Sequence, residues 1–199
     1  MLYALNSNNI KIEPCPNEKG FCPGCGEALR AKALTSRHVA PHWAHKAGDC
    51  DPWYEPETGR HREWKERFPV ECREVSMGPH RADVRMRNGL ILELQHSSIS
   101  SEEIEDRERF YGDMIWLLDA RDWALRAIDN QGYPRSAHAM EWSHLEEFNF
   151  LWLWPKRTWS VSQRHVVLDL GSFLVQVLDW RWGKDVWARG KAYGLEFLR

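Results

Sequence analysis

No apolar stretch in this chain reaches the ~18 residues that a membrane-spanning helix needs, and the longest candidates are broken by charge. The opening residues, MLYALNSNNIKIEP, lack a basic segment followed by an apolar one, so no secretory signal is expected and the location inferred is cytoplasmic, with no membrane partner. Low-complexity segments and internal repeats are absent. So is any excess of positive charge, because 27 Lys and Arg stand against 29 Asp and Glu, for a net charge of -2. A protein that grips nucleic acid by charge alone is usually more basic, so such a contact would need a local patch or metal ions. Cysteine is scarce and odd in number. Five residues exclude a complete set of internal disulfides.

What is present fits a globular protein with a core of real size: 199 residues, of which 43% are hydrophobic and 28% charged. Twelve tryptophans are far above the usual share, and most lie at or after Trp123. Packing within a β-rich C-terminal part is the expected use, with ligand stacking as the alternative. By content the chain divides into three pieces. Residues 1–53 hold most of the Cys and His, residues 54–122 alternate helix and strand patterns, and residues 123–199 begin with a connection (124–139) and continue rich in Trp, Leu and Val.

The spacing Cys22-Pro-Gly-Cys25 suits a metal clip, since two thiolates two residues apart can grip one ion in a tight turn. His42, His45 and Cys50 follow and can supply two more ligands. His45 and Cys50 are preferred, with His42 the alternative, and the expected occupant is a structural Zn2+. An ordinary reduced Cys pair beside surface histidines is the plainer reading. Cys15 and Cys72 stand alone and are not expected to be ligands.

Residues 57–68 read as an amphipathic helix with Glu57, His61 and Lys65 on one face. Residues 81–96, RADVRMRNGLILELQH, read as a hairpin. A two-residue Asn88-Gly89 turn would mix polar and apolar residues on both faces, whereas a loop of Arg87, Asn88 and Gly89 gives one clean apolar face. That register sets Asp83 opposite Glu93 and Arg81 opposite Gln95. Facing carboxylates repel by up to about 1 kcal/mol. A cation between them relieves this, and Mg2+ or Mn2+ is the natural occupant. Ser100 to Glu103 fits a capping box opening a helix over about 101–112, with Ile104, Arg107 and Tyr111 on one side. Met114 to Asp119 then reads as a buried strand.

The order helix, three strands, helix, strand, with these motifs, resembles the PD-(D/E)XK nucleases and, more narrowly, the CoiA-like competence family. The segments that carry the resemblance are CPGC with HWAH, Glu57-Thr-Gly-Arg-His61 with Lys65, Arg81-Ala-Asp83-Val84 with Ile91-Leu-Glu93-Leu-Gln95, and Glu103 with Arg107 and Tyr111. They span about half the chain. The resemblance implies an α/β (α+β) fold with a restriction-endonuclease-like αβββαβ core, a zinc-finger-like N-terminal segment and a β-rich, Trp-rich C-terminal addition. It implies Glu57, Asp83 and Glu93 as ligands of a catalytic Mg2+ or Mn2+. Gln95 takes the place of the usual motif lysine, and Lys65 is a candidate source of the missing positive charge. His61, Arg81, Arg107 and Tyr111 become candidate substrate contacts, although Arg107 could equally pair with a nearby acid.

The expected function is metal-dependent hydrolysis of phosphodiester bonds in nucleic acid, most readily DNA, with recombination or DNA-uptake proteins as partners implied by the resemblance. Two alternatives stand beside it: an inactive zinc-containing nucleic-acid-binding or adaptor protein, and an RNase or phage-defence nuclease of the same chemistry.

Overall fold

Thr58 and Ser100 each open a helix by the same device, a side-chain oxygen accepting the backbone N–H three residues on (3.2 Å to His61 and 3.1 Å to Glu103). Around these helices the computed structural model describes residues 1–48, 50–55, 57–128, 134–136 and 147–198, with backbone alone at 134–136. The fold is mixed α and β, mostly sheet, and the described residues hold two α-helices. None of these helices is long and apolar enough to cross a membrane. The chain forms two compact units, Met1–Gly89 and Leu90–Arg199.

In the first unit, the short strands β1 (Ala4–Leu5), β2 (Lys11–Ile12), β3 (Gly20–Phe21), β4 (Ala28–Lys32) and β5 (His42–Ala44) form an antiparallel sheet of order β2-β1-β3-β4-β5. Its core is small: Met1, Ala4, Cys22 and Leu29 pack about Trp43, whose indole N–H donates to the Ile12 carbonyl at 3.1 Å. Gly20 lets the layers close, since a Cβ there would lie 2.7 Å from the Ala4 Cβ and 2.8 Å from the Trp43 ring. Helix α1 (Gly59–Lys65) follows, then a 3-10 turn (Val70–Cys72) and the antiparallel pair β6 (Arg73–Met77) and β7 (His80–Arg85). The helix is shorter than the sequence suggests. Glu57 precedes the Thr58 cap and stands outside it.

The turn after β7 has the three-residue form expected. The Gly89 N–H donates to the Met86 carbonyl at 2.9 Å, and Gly89 has φ +93°, a left-handed conformation that glycine adopts without steric cost.

In the second unit, β8 (Ile91–Gln95), helix α2 (Ser101–Tyr111) and β9 (Met114–Asp119) form a parallel β-α-β crossover with Glu93 beside Trp116. The remaining strands are β10 (Leu125–Ile128), β11 (Pro134–Ser136), β12 (Phe148–Trp152), β13 (His165–Asp169), β14 (Leu174–Trp182) and β15 (Val186–Tyr193). Their order is β11-β10-β12-β15-β14-β13-β9-β8, and β13 lies parallel to β9. Two strands, β10 and β11, therefore form where the sequence suggested only a connection. Residues 129–133 and 137–146, which include part of that segment and Trp142, lie outside the described residues.

The C-terminal part is β-rich as expected, and tryptophans do pack there. Trp152 and Trp159 are each 2% exposed. Trp123 stacks on Trp152 at 4.2 Å, and Trp159 meets Trp116 edge-on at 5.1 Å. Trp116 in turn donates to Glu108 at 2.9 Å, which also accepts from Ser162 and from the backbone of Gln163.

Candidate functional site

The CPGC turn is shaped by its own backbone. The Cys22 N–H donates to the Glu27 carbonyl, Gly26 donates back to the Cys22 carbonyl, and the Gly24 N–H points at the Cys22 sulfur from 3.4 Å. This leaves the Cys22 and Cys25 sulfurs on one side of a tight loop. His45, just beyond β5, and Cys50 bring the other two donors. All four ligand atoms lie within 4.8 Å of one another, with Cys22 Sγ to Cys50 Sγ at 3.6 Å and Cys25 Sγ to His45 Nε2 at 3.4 Å.

Sulfurs about 2.3 Å and a ring nitrogen about 2.0 Å from one tetrahedral ion sit roughly 3.5–3.8 Å apart, so the donor set fits zinc. The crowding has an electrostatic signature. The Cys25 thiol is held down to about 7 by a backbone hydrogen bond at Glu27 and, more weakly, by His45. Cys50 is pushed up to about 12 by burial and by the neighbouring Cys22 and Cys25. Metal binding to such a set releases protons. His42 is the spare ligand, with its Nδ1 3.0 Å from the Ala40 carbonyl. Cys15 and Cys72 stand outside the cluster.

Asp51, next to Cys50, connects the clip to β7. Its carboxylate accepts from the Arg81 N–H at 2.8 Å and faces the His80 Nδ1 at 2.9 Å, while Trp53 stacks on the His80 ring at 3.3 Å. Arg81 also sets its guanidinium over the Tyr54 ring at 5.9 Å.

The same unit holds an acidic cluster built on Lys65. The Lys65 Nζ lies 2.9 Å from Asp83, 3.2 Å from Glu57 and 3.2 Å from Glu74. Lys65 is 4% exposed and Glu74 3%. Burial alone would lower the Lys65 value, but Asp83, Glu74 and Glu57 hold it well above the usual range, so it stays an ammonium at neutral pH. Burial pushes Glu74 up, yet Lys65 and then Arg81 outweigh this and bring it down to about 2. Glu57 goes the other way. Its carboxyl is raised by burial and by the charges of Glu74 and Asp83, against the pull of Lys65. Its Oε1 is buried and has no hydrogen-bond partner among the described residues.

Glu74 is the member that the sequence did not reveal. The ladder pairs Arg73 with Val84 and Val75 with Ala82, which places Glu74 in the row of Asp83. Glu74 has φ +44°, a costly conformation for a residue with a Cβ. Its Oε2 accepts the backbone N–H groups of Leu2 and Tyr3 at 2.8 and 3.2 Å. No motif marks such a residue, because its partners are remote in sequence. His61, expected on the Glu57 and Lys65 face, is 6% exposed.

Set against known proteins, this chain matches no family model, no curated protein and no solved structure. Its chemistry is therefore read from its own side chains.

In the second unit every residue of β8 is buried, Glu93 and Gln95 included, each at 3% exposure. Arg107 reaches from α2 to Glu93 at 3.1 Å and also bonds Glu103 on its own helix. Of the two readings for Arg107, pairing with acids is the one observed. The Gln95 amide nitrogen donates to the Ser97 carbonyl at 3.2 Å. Tyr111 is 8% exposed. Asp83 thus belongs to one compact unit and Glu93 to the other.

Proposed function

We propose that this chain is a metal-dependent nuclease that hydrolyses phosphodiester bonds in nucleic acid, most readily DNA, on a restriction-endonuclease-like core. The observation that carries the reading is the convergence on Lys65: Glu57, Glu74 and Asp83 meet at one ammonium, and the buried Glu57 Oε1 is left without a hydrogen-bond partner among the described residues. Clustered carboxylates with an unpartnered buried oxygen suit a divalent cation. Glu57 and Asp83 are the ligands this supports, and Glu93 joins them on the sequence argument alone. A bound Mg2+ or Mn2+ supplies Lewis acidity toward water and phosphate. Lys65, fixed as an ammonium, holds the ligands in place and screens the incoming phosphate. Gln95 can orient water by hydrogen bonds but cannot accept its proton at neutral pH.

A second reading is favoured by one observation. The Lys65 ammonium already sits among the carboxylates, as a cation would, and the chain would then be a zinc-clipped nucleic-acid-binding module without catalysis. Digestion of linear, circular, single- and double-stranded DNA and of RNA with Mg2+ or Mn2+ separates the two. The nuclease reading expects metal-dependent cleavage that Asp83→Asn and Glu93→Ala abolish. Equal activity of the wild type and Glu93→Ala in matched metal would falsify it.

A further inference from the structure

In the sheet of the second unit, the middle of β15 alternates buried and exposed side chains among the described residues. Along β15, Val186, Ala188 and Gly190 are buried while Trp187 and Arg189 are exposed. Val186 and Ala188 pair with Trp152 and Phe150 on the covered side. On the other side the register sets Arg126, the buried Leu151, Trp187 and Arg181 in one row, and in the next Asn149 and Asp179 flank Arg189. Part of these rows lines a groove of about 800 Å³, bounded by Trp187, Arg181, Arg189, Asn149 and Asp179, and Arg126 stands outside that lining.

Trp187 is 47% exposed, although tryptophan has the most to gain from burial. Its indole makes no ring contact or side-chain hydrogen bond among the described residues. Packing therefore does not account for it. Arg189 is neutralised by Asp179 at 3.0 Å and Glu147 at 3.2 Å. Arg181 and Arg126 are exposed and make no ion pair among the described residues. Among the described residues, two guanidinium groups without an ion pair therefore stand on either side of Trp187, Arg181 within the groove lining and Arg126 in the same row two strands away.

We propose that this groove binds single-stranded nucleic acid, with a base stacked on Trp187 and the flanking phosphates held by Arg181 and Arg126. Adjacent strands lie about 4.8 Å apart, which puts Arg181 one strand from the indole and Arg126 about 10 Å away on its other side. Stacking needs an exposed base face, which a single strand offers and a duplex hides. Guanidinium groups on both sides match a backbone that runs past the ring. The inference rests on the nucleic-acid reading above and adds to it the strand form and the place of contact.

The test is fluorescence anisotropy of a labelled oligothymidylate titrated with the zinc-loaded chain, beside Trp187→Ala, Trp187→Phe and the double variant Arg126→Gln with Arg181→Gln. Removing the stack should weaken binding about tenfold, and the phenyl ring should restore most of it. The double arginine variant should weaken binding and flatten its salt dependence, by roughly 0.7 in log–log slope for each phosphate that the groove no longer neutralises. These side chains are exposed, so thermal melts of the variants should match the wild type.

Wild type that cleaves DNA but binds oligothymidylate no better than Trp187→Ala overturns the groove and leaves the nuclease standing. Loss of binding in the groove variants, with no cleavage by the wild type in any metal, supports the groove and removes catalysis. Wild type that binds no single strand overturns the groove outright.

Discussion

Lys65 shows how one residue can organise a site. Its ammonium is enclosed by Glu57, Glu74 and Asp83, and each contact is short enough to be strong in a medium of low dielectric. Removing it strands buried carboxylates, so Lys65→Met should destabilise the fold by about 3–5 kcal/mol, read by chemical denaturation. Removing one acid is milder, because Lys65 keeps two others. Asp83 is also the most open of the three, its side chain 22% exposed. Asp83→Asn should therefore stay folded while losing metal-dependent cleavage, a separation that circular dichroism and a plasmid assay would detect together. Gln95→Ala should cost less activity than either acid variant, since water can partly replace an orienting amide. The sequence pointed to Glu57, Lys65 and Asp83 through helix spacing and strand pattern. It could not point to Glu74, whose importance comes from an unusual backbone angle and from a ladder partner.

At the scale of elements, the N-terminal clip is closed by donors from three places: the CPGC turn, the residue after β5, and Cys50. The small Trp43 core around it buries few side chains, so binding free energy from a metal is expected to carry much of this segment's stability. Purified protein should hold about one zinc per chain by elemental analysis. Cys22→Ser should lower both the zinc content and the melting temperature, whereas His42→Ala should change neither. Chelated protein with an unchanged melt would remove the structural role. Helix α2 offers a simpler test. Ser100 caps it through Glu103, so Ser100→Ala should cost about 1 kcal/mol without changing metal content.

The pH response of the whole chain follows from the buried cluster. Glu74 titrates at about 2 when folded, below its usual 4.5. Its contribution, on the order of 3 kcal/mol, is complete above about pH 4.5 and is lost as the pH falls toward 2. Lys65 is raised, so its contribution is complete below its usual 10.5 and fades only as the pH rises through its higher folded value. Glu57, a raised carboxyl, acts against the fold as it ionises and partly offsets Glu74. Denaturation midpoints should therefore be high across neutral pH and fall in acid, and Glu74→Gln should flatten the acid limb. A net charge of -2 gives no general attraction for nucleic acid, so any binding should depend on the local arginines on either side of Trp187 and on bound metal.

Much of this was local and could be read directly. Periodicity marked both helices and a capping box the second, glycine at the third loop position fixed the turn after β7, and ligand spacing with donor chemistry favoured Cys22, Cys25, His45 and Cys50, with His42 as the alternative. Short-range sterics and hydrogen bonds decide the caps and the turn within a few residues of chain, and donor chemistry marks the ligands. Tertiary structure decided the rest. It chose between His42 and His45, drew Glu74 into the acidic cluster, gave Arg107 to Glu93 and Glu103, and made strands β10 and β11 from a segment full of turn residues. It also divided the tryptophans, burying Trp152 and Trp159 and leaving Trp187 exposed beside Arg181 and Arg126. Those outcomes depend on which distant strands pair and which face they cover, and composition carries no record of that.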